Sequence, residues 1–169
     1  SCKLQDSLSR VTSFKLSERQ VNSRTQAPLL NKEGFLKRGV QEETAKLYVK
    51  SGGSSSKPKL AAYSWEDYEL QMKTGADGLF AAGLEPKKDR CMNLFDSGHL
   101  YGGFLSFFSV LQLLDAVQFP MAADNDLEYV ADMIIEHRIN TLLGMPSYIR
   151  KLFATQHEKL KAYGKVEKI

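Results

Sequence analysis

The sequence has few cysteines, and their positions argue against a disulfide framework or a metal site. The chain of 169 residues contains 2 cysteines, Cys2 and Cys91, and 3 histidines. No cysteine or histidine lies near either thiol at the spacing that metal ligands show. We therefore predict two free thiols in a reducing compartment, which favours a cytoplasmic location, and we assign no metal ligands.

Long apolar runs and a strong net charge are also missing. The longest apolar run, Phe104–Leu114, is interrupted by Ser106, Ser109 and Gln112, so it is too short to span a bilayer and is typical of a buried helix. The polar N-terminus does not resemble a signal peptide. A formal net charge of +3 is too small to indicate nucleic acid as the main partner.

The most informative stretch is a serine- and glycine-rich run between two predicted strands, Leu47–Val49 and Leu60–Tyr63. Glycines let backbone N–H groups turn toward an anion, serine hydroxyls add donors, and Lys57 adds a positive charge. Pro58 excludes the loop-to-helix transition of a Walker A motif, because it favours an extended chain. A flexible surface loop is the alternative. The residues predicted to contact phosphate are Ser51, Gly52, Gly53, Ser54, Ser55, Ser56 and Lys57.

A second glycine-rich segment, Asp96–Gly103, follows the predicted strand Cys91–Phe95 and precedes an apolar helix. In an open α/β sheet, ligands bind where such turns leave the carboxyl ends of the strands. His99 has two interpretations of equal weight. It stands at the mouth of a pocket, or it is a turn histidine that bonds to the backbone.

Strands and helices alternate over the second half of the chain, with strands predicted at 91–95, 116–120, 140–145 and 166–169. This order predicts the α/β class, with an open, mostly parallel sheet covered by helices on both faces in three layers. We assign 1–27 to a polar N-terminal segment that could form a helix. Residues 28–169 are assigned to an α/β subdomain, which the resemblance described below implies to be incomplete and to bind nucleotide and acid.

Local signals define the predicted helices. Ser64 caps a helix whose apolar stripe runs from Trp65 to Leu79, with Trp65 expected in packing contacts. The helix Phe104–Asp115 is expected to be buried on nearly all sides. Asp126 caps the next helix. Pro146 opens a final helix that continues to Leu160.

Three segments together resemble one known family. The order Ser-Gly-Gly-Ser-Ser-Ser-Lys-Pro resembles the phosphate loop of adenylate-forming enzymes, most closely that of phenylacetate–CoA ligases and acyl-protein synthetases. Ser56 stands where the family has glycine. The glycine-rich turn is similar to the segment that lines the acid pocket of phenylacetate–CoA ligases, and Met145–Tyr148 is similar to the family's Thr-Pro-Ser-Tyr. The acid-pocket residues that the resemblance implies are Phe95, Gly98, His99, Tyr101, Gly102 and Gly103.

The resemblance implies an enzyme that activates a small carboxylic acid with ATP and Mg²⁺ and transfers the acyl group to coenzyme A. Ser54, Ser55 and Lys57 would hold the phosphates, and no residue needs to act as a nucleophile. Because Asp96, His99 and Tyr101 depart from the aryl-acid pattern, no aromatic substrate is assigned. The resemblance covers 28–169 only, so we expect a fragment that is inactive alone.

Three alternatives stay open at this point. The acceptor could be a protein thiol, as in the acyl-protein synthetase of the luciferase system. The chain could be a degenerate nucleotide-binding module without catalysis, because Ser56 replaces the glycine of the usual loop. It could also belong to a different α/β nucleotide or phosphosugar enzyme, in which case the loop would lie away from the strand ends.

Overall fold

The computed structural model describes residues 43–50 and 60–169 of the chain. Ten helices and strands follow one another in these two ranges. The strands are β1 (Leu47–Lys50), β2 (Leu60–Tyr63), β3 (Arg90–Leu94), β4 (Val117–Pro120) and β5 (Thr141–Gly144). The helices are α1 (Trp65–Ala81), α2 (Gly103–Leu113), α3 (Leu127–Glu136), α4 (Pro146–Thr155) and α5 (His157–Tyr163). The predicted division between 1–27 and 28–169 lies outside the described residues.

The predicted three-layer α/β fold is confirmed. The strands β4, β3 and β5 form a parallel sheet in that order, with β3 in the centre. Along β3, Cys91 packs with Leu111 of α2 on one face, while Met92 and Leu94 pack with α3, α4 and α5 on the other. The alternation of side chains along a strand therefore directs one set of residues into each of two cores.

The strands β1 and β2 form a separate antiparallel hairpin. Their register pairs Lys50 with Leu60 and Leu47 with Tyr63. Both strands were predicted from their apolar residues, and both are confirmed. The predicted phosphate loop connects them, and Ser51 to Lys57 lie outside the described residues.

Helix α1 has the predicted start and end. The Ser64 hydroxyl accepts a hydrogen bond from the Asp67 backbone N–H at 3.0 Å, which satisfies one of the free donors of the first turn. Gly83 has a φ of +100° and ends the helix in a Schellman motif. Met72 and Ala76 are buried as predicted, but Trp65 is 55% exposed. Trp65 still makes a packing contact of the expected kind, because its ring meets the Tyr68 ring edge to face, with 6.2 Å between ring centroids.

Helix α2 is less buried than predicted. Val110 and Leu111 are buried, whereas Leu105, Phe108 and Leu113 are exposed. The helix contacts α1 on one side and the sheet on another. Among the described residues, nothing covers its remaining face.

The predicted final helix is two helices, because the chain turns at Gln156 between α4 and α5. Leu160 is still buried, as expected, but it belongs to α5. The predicted strand at 166–169 is present only as a parallel bridge between Lys168 and Thr141. No helix within 43–50 and 60–169 is long and apolar enough to cross a membrane.

A buried carboxylate fixes the amino ends of the parallel strands. Asp89 is 2% exposed and accepts hydrogen bonds from the Lys168 ammonium at 2.8 Å, the Glu85 backbone N–H at 2.6 Å and the Asn140 amide at 3.2 Å. Burial by itself raises the pKa of Asp89, but the bonds from Lys168, Glu85 and Asn140 outweigh it and lower the pKa below its usual value. This network ties the last residues of the chain to the sheet.

We expect Asp89→Ala to lower the free energy of unfolding by about 2–3 kcal/mol, because buried donors lose their acceptor while the partly exposed ammonium rehydrates. Asp132→Ala is the control, since Asp132 bonds to Lys159 at the surface and should change stability far less. Urea unfolding of both variants measures the difference. Equal decreases in the free energy of unfolding would contradict the stabilising role assigned to Asp89.

The same contribution should depend on pH. Because the pKa of Asp89 is lowered in the folded state, its stabilisation is present above the unfolded-state pKa, which is about 3.9 for aspartate, and is lost as the pH falls through the folded-state value. The stability difference between wild type and Asp89→Ala should therefore narrow progressively below about pH 4. A difference that stays constant down to acid unfolding would contradict the lowered pKa of Asp89, because it requires the same pKa in the folded and unfolded states.

Candidate functional site

The carboxyl ends of three parallel strands define the edge where this fold class binds ligands. At this edge β3 ends at Leu94, β4 at Pro120 and β5 at Gly144. The segments that follow these strands contain the predicted acid-pocket turn and the Met145–Tyr148 segment. The edge is therefore the place to look for a site.

The β1–β2 hairpin meets the glycine-rich turn at this edge. The Lys50 backbone N–H donates a hydrogen bond to the Leu100 carbonyl at 2.7 Å, and Lys50 also forms a parallel bridge with Tyr101. Lys50 pairs with Leu60 in the hairpin. Lys50, the last described residue before the predicted phosphate loop, thus lies beside the turn. The loop itself lies outside the described residues.

The turn has an unusual backbone conformation. Gly98, His99 and Leu100 have φ values of +88°, +51° and +63°, and the Tyr101 N–H closes the turn on the Gly98 carbonyl at 2.8 Å. Turns with positive φ at both central residues favour Gly, Asn or Asp, and other residues cost about 1 kcal/mol each there. His99 and Leu100 are thus strained. In this backbone conformation the Leu100 carbonyl faces the Lys50 N–H.

Ala122, just after β4, has a φ of +60°. Among the other described non-glycine residues, Asp115 and Arg138 also have positive φ values, and each of them has an ordinary cause, because it terminates a helix. The strained residues that do not end a helix, His99, Leu100 and Ala122, therefore all lie at the carboxyl edge of the sheet. Backbone strain of this kind is common at functional sites.

The two glycines at the start of α2 make room for protein side chains. A Cβ on Gly103 would lie 2.6 Å from Cε1 of Tyr101, and a Cβ on Gly102 would lie 3.1 Å from Cγ1 of Val49. The Tyr101 hydroxyl reaches the Met145 sulfur at 3.5 Å. Tyr101 therefore spans from the turn to the segment after β5. The turn, the Met145–Tyr148 segment and Lys50, the last described residue before the predicted phosphate loop, thus lie at one edge.

Two of the predicted pocket residues make no contact with Tyr101 or Met145 through the bonds that the structure describes. Phe95 stacks on Phe107 of α2, with 4.4 Å between ring centroids. His99 is exposed, and the described residues give its imidazole no hydrogen-bond partner. The roles predicted for both residues in the acid pocket stay predictions.

A cavity of about 360 Å³ opens at the same edge, beside α4. Its walls include the carboxylate of Asp96, the hydroxyl-bearing Ser147 and the ammonium-bearing Lys151. The lining residues are Leu94, Asp96, Ala123, Met145, Ser147, Tyr148 and Lys151. A larger cavity of about 560 Å³ lies between α1 and α2, away from the strand ends, and none of the predicted site residues lines it.

Tyr148 was not predicted as a site residue, although Met145–Tyr148 was singled out by its pattern. Its hydroxyl donates to the Asp124 carbonyl at 2.7 Å and accepts from the Asp124 N–H at 3.2 Å. Burial raises the pKa of Tyr148, and the carboxylates of Asp124 and Asp96 add to this effect. The neutral phenol fastens the segment after β4 to the start of α4.

In the described part of the chain, no three His, Cys, Asp or Glu side chains are grouped to hold a metal ion.

Solved structures with a similar fold include those of an acyl-CoA ligase. Over 79% of this chain and 30% of the other, the fold matches 2-hydroxyisobutyryl-CoA ligase in its postadenylation state with 2-HIB-AMP, at a TM-score of 0.62 and 15% sequence identity. The open conformation of that enzyme with 2-HIB-AMP and CoA matches at a TM-score of 0.61 and 16% identity, over 79% of this chain and 33% of the other.

At these identities the likeness establishes the fold alone, and the chain spans about a third of the length of these ligases. Neither a protein-family model nor a curated protein matches the sequence. The predicted fold class is thereby confirmed, whereas the phenylacetate–CoA ligase branch stays a prediction.

We expect Gly103→Ala to destabilise the protein by roughly 1–3 kcal/mol, because the new methyl group would overlap the Tyr101 ring. Gly78→Ala is the matched control, since a Cβ at Gly78 of α1 meets nothing within 4 Å. It should stabilise the protein by about 0.5–1 kcal/mol through helix propensity. Denaturant unfolding compares the two variants, and changes of the same sign would contradict the close contact of Tyr101 with Gly103.

Proposed function

We propose that the protein carrying this chain is an adenylate-forming acid–thiol ligase. It would activate a small carboxylic acid with ATP and pass the acyl group to coenzyme A. One observation supports the proposal most strongly. Three features lie together at one edge of the sheet: Lys50, which precedes the predicted phosphate loop, the glycine-rich turn and the Met145–Tyr148 segment. The fold that brings them together is shared with an acyl-CoA ligase.

The chemical problem of the first step is electrostatic, because a carboxylate must approach the α-phosphate of ATP. In our proposal the serine and glycine N–H groups of 51–56 and the Lys57 ammonium hold the β- and γ-phosphates and offset their charge. Ser54, Ser55 and Lys57 carry most of these contacts. Mg²⁺, bound mainly through the phosphate oxygens, would neutralise further charge.

The acid would bind on the other side of the turn, between Phe95–Gly103 and α4. Tyr101 bounds this space because its ring lies over Gly103 and its hydroxyl reaches Met145. The adjoining cavity adds Ser147 and Lys151, which suit a polar acid. This arrangement supports an acid site beside the phosphate loop, as direct attack on the nucleotide requires.

Coenzyme A is proposed as the acceptor because the ligase with this fold binds 2-HIB-AMP and CoA. Within the superfamily, the motifs favour the phenylacetate–CoA ligase branch, and we propose that the enzyme acts in the cytoplasm. A protein thiol is the alternative acceptor, as in acyl-protein synthetases. A different kind of α/β enzyme is less well supported, because Lys50 holds the start of the loop at the strand-end turn.

A second candidate function is nucleotide binding without catalysis. Ser56 occupies a position that is glycine in the usual motif, and a left-handed backbone there would cost about 1 kcal/mol more with serine. A weakened loop could keep its affinity for nucleotide and lose the geometry that the reaction needs. The same assay separates this alternative from the ligase.

Acid-dependent exchange between ATP and pyrophosphate tests the proposal, with the full-length natural protein and a panel of aryl, hydroxy and fatty acids. Lys57→Ala should lower the exchange rate by about 10²–10³-fold, because a charge that stabilises the transferring phosphates is lost. Lys46→Ala is the control, since it removes the same charge just before the far end of β1, where Lys46 bonds to the Glu43 carbonyl.

Exchange that depends on one acid class and drops only in Lys57→Ala would support the ligase. Nucleotide binding without exchange, for every acid in the panel, would overturn it in favour of the binding-only alternative. Equal losses in Lys57→Ala and Lys46→Ala would contradict the assigned role of Lys57.

A further inference from the structure

One polar side chain is buried in the middle of the sheet, next to the candidate site. Asn93 is the fourth residue of β3 and is 0% exposed. It pairs with Pro120 of β4 and Leu143 of β5, so strands flank it on both sides. Its side chain lies in the layer between the sheet and α2, among apolar neighbours.

Both the NH₂ group and the oxygen of the Asn93 side-chain amide form hydrogen bonds. Its Nδ2 donates to the Phe104 carbonyl at 3.0 Å, and its Oδ1 accepts from the Phe95 N–H at 3.2 Å. Its backbone carbonyl accepts from the Ala122 N–H at 2.9 Å. Asn93 therefore holds the residue just before the glycine-rich segment, the first turn of α2 and the strained residue after β4.

The two side-chain hydrogen bonds of Asn93 hold the residues at either end of the segment that contains the predicted acid-pocket residues. Residues 95 and 104 bracket the segment that contains Phe95, Gly98, His99, Tyr101, Gly102 and Gly103. Burying an amide costs about 1–3 kcal/mol unless it is hydrogen-bonded. Because leucine would fill similar space without that cost, stability alone does not explain an asparagine here.

We propose, on the basis of the ligase function proposed above, that Asn93 is a positioning residue for the acid. By clamping Phe95 to Phe104 it holds the intervening turn, and with it Tyr101, in the shape that the acid contacts. Among the described residues, its side-chain hydrogen bonds go to Phe95 and Phe104, on the acid side of the proposed site. Its loss should therefore weaken the use of the acid and spare the use of ATP.

The neighbouring strand offers a matched control. Gln118 of β4 lies on the same face of the sheet, and its Nε2 donates to the Phe108 carbonyl in the middle of α2 at 3.2 Å. Its Oε1 is buried without a partner among the described residues. Gln118→Leu thus removes a side-chain bond to the same helix, away from the turn.

The test compares Asn93→Leu with Gln118→Leu in acid-dependent pyrophosphate exchange by the full-length protein. Asn93→Leu should raise the KM for the acid by about tenfold or more, while the KM for ATP changes by less than about twofold. Gln118→Leu should leave both constants near the wild-type values. Similar increases of both constants in Asn93→Leu would indicate a general structural defect and overturn the proposal.

Amide hydrogen exchange provides a readout that does not depend on activity. Asn93→Leu should accelerate exchange by about tenfold at 95–103 and leave the helices α3 to α5 unchanged. Unchanged exchange at 95–103, or acceleration throughout the protein, would overturn the positioning role. A wild-type protein that does not catalyse pyrophosphate exchange would overturn the ligase function itself. In that case, faster amide hydrogen exchange in Asn93→Leu that is confined to 95–103 would still support the positioning of the turn by Asn93.

Discussion

A backbone hydrogen bond, from the N–H of Lys50 to the carbonyl of Leu100, joins the β1–β2 hairpin to the glycine-rich turn. It brings the residue that precedes the predicted phosphate loop to the turn that follows β3. The carbonyl points toward Lys50 because His99 and Leu100 adopt left-handed conformations that neither residue favours. The fold accepts this strain at its carboxyl edge, where the contacts of Tyr101 with Gly103 and Met145 keep the turn in place.

Buried polar side chains hold the sheet at both edges, with different consequences. At the amino edge, Asp89 bonds to Lys168 and secures the last residues of the chain, which is a contribution to stability. At the carboxyl edge, the Asn93 amide shapes the turn beside the proposed acid site. The apolar cores on either face of β3 provide most of the burial, and the polar groups select one arrangement of the loops.

Local signals predicted much of the fold, because helix caps and strand patterns act over a few residues. Ser64 and Asp126 accept the predicted capping bonds, and Pro146 begins α4. Which helix faces are buried depends instead on tertiary contacts. The exposure of Trp65 and of one face of α2 depends on which neighbours are present, which no periodicity reveals.

The approach of the glycine-rich turn to the Met145–Tyr148 segment was predictable, because a parallel sheet brings its strand ends together. Its internal contacts were not predictable, because Phe95 turns toward Phe107 and Asn93 carries no sequence motif. The ion pair between Asp89 and Lys168 joins residues 79 positions apart, which is beyond any local signal.

The central claim is that the loop after Lys50 binds phosphate beside the turn. Titration of the ¹⁵N-labelled chain with magnesium pyrophosphate tests it most directly, by following each backbone amide. The account predicts shifts at Lys50 and at Gly98–Tyr101, with none at Asp89 or Lys168 on the opposite edge of the sheet. Shifts confined to that opposite edge, or no shift at Lys50 and the turn, would contradict it.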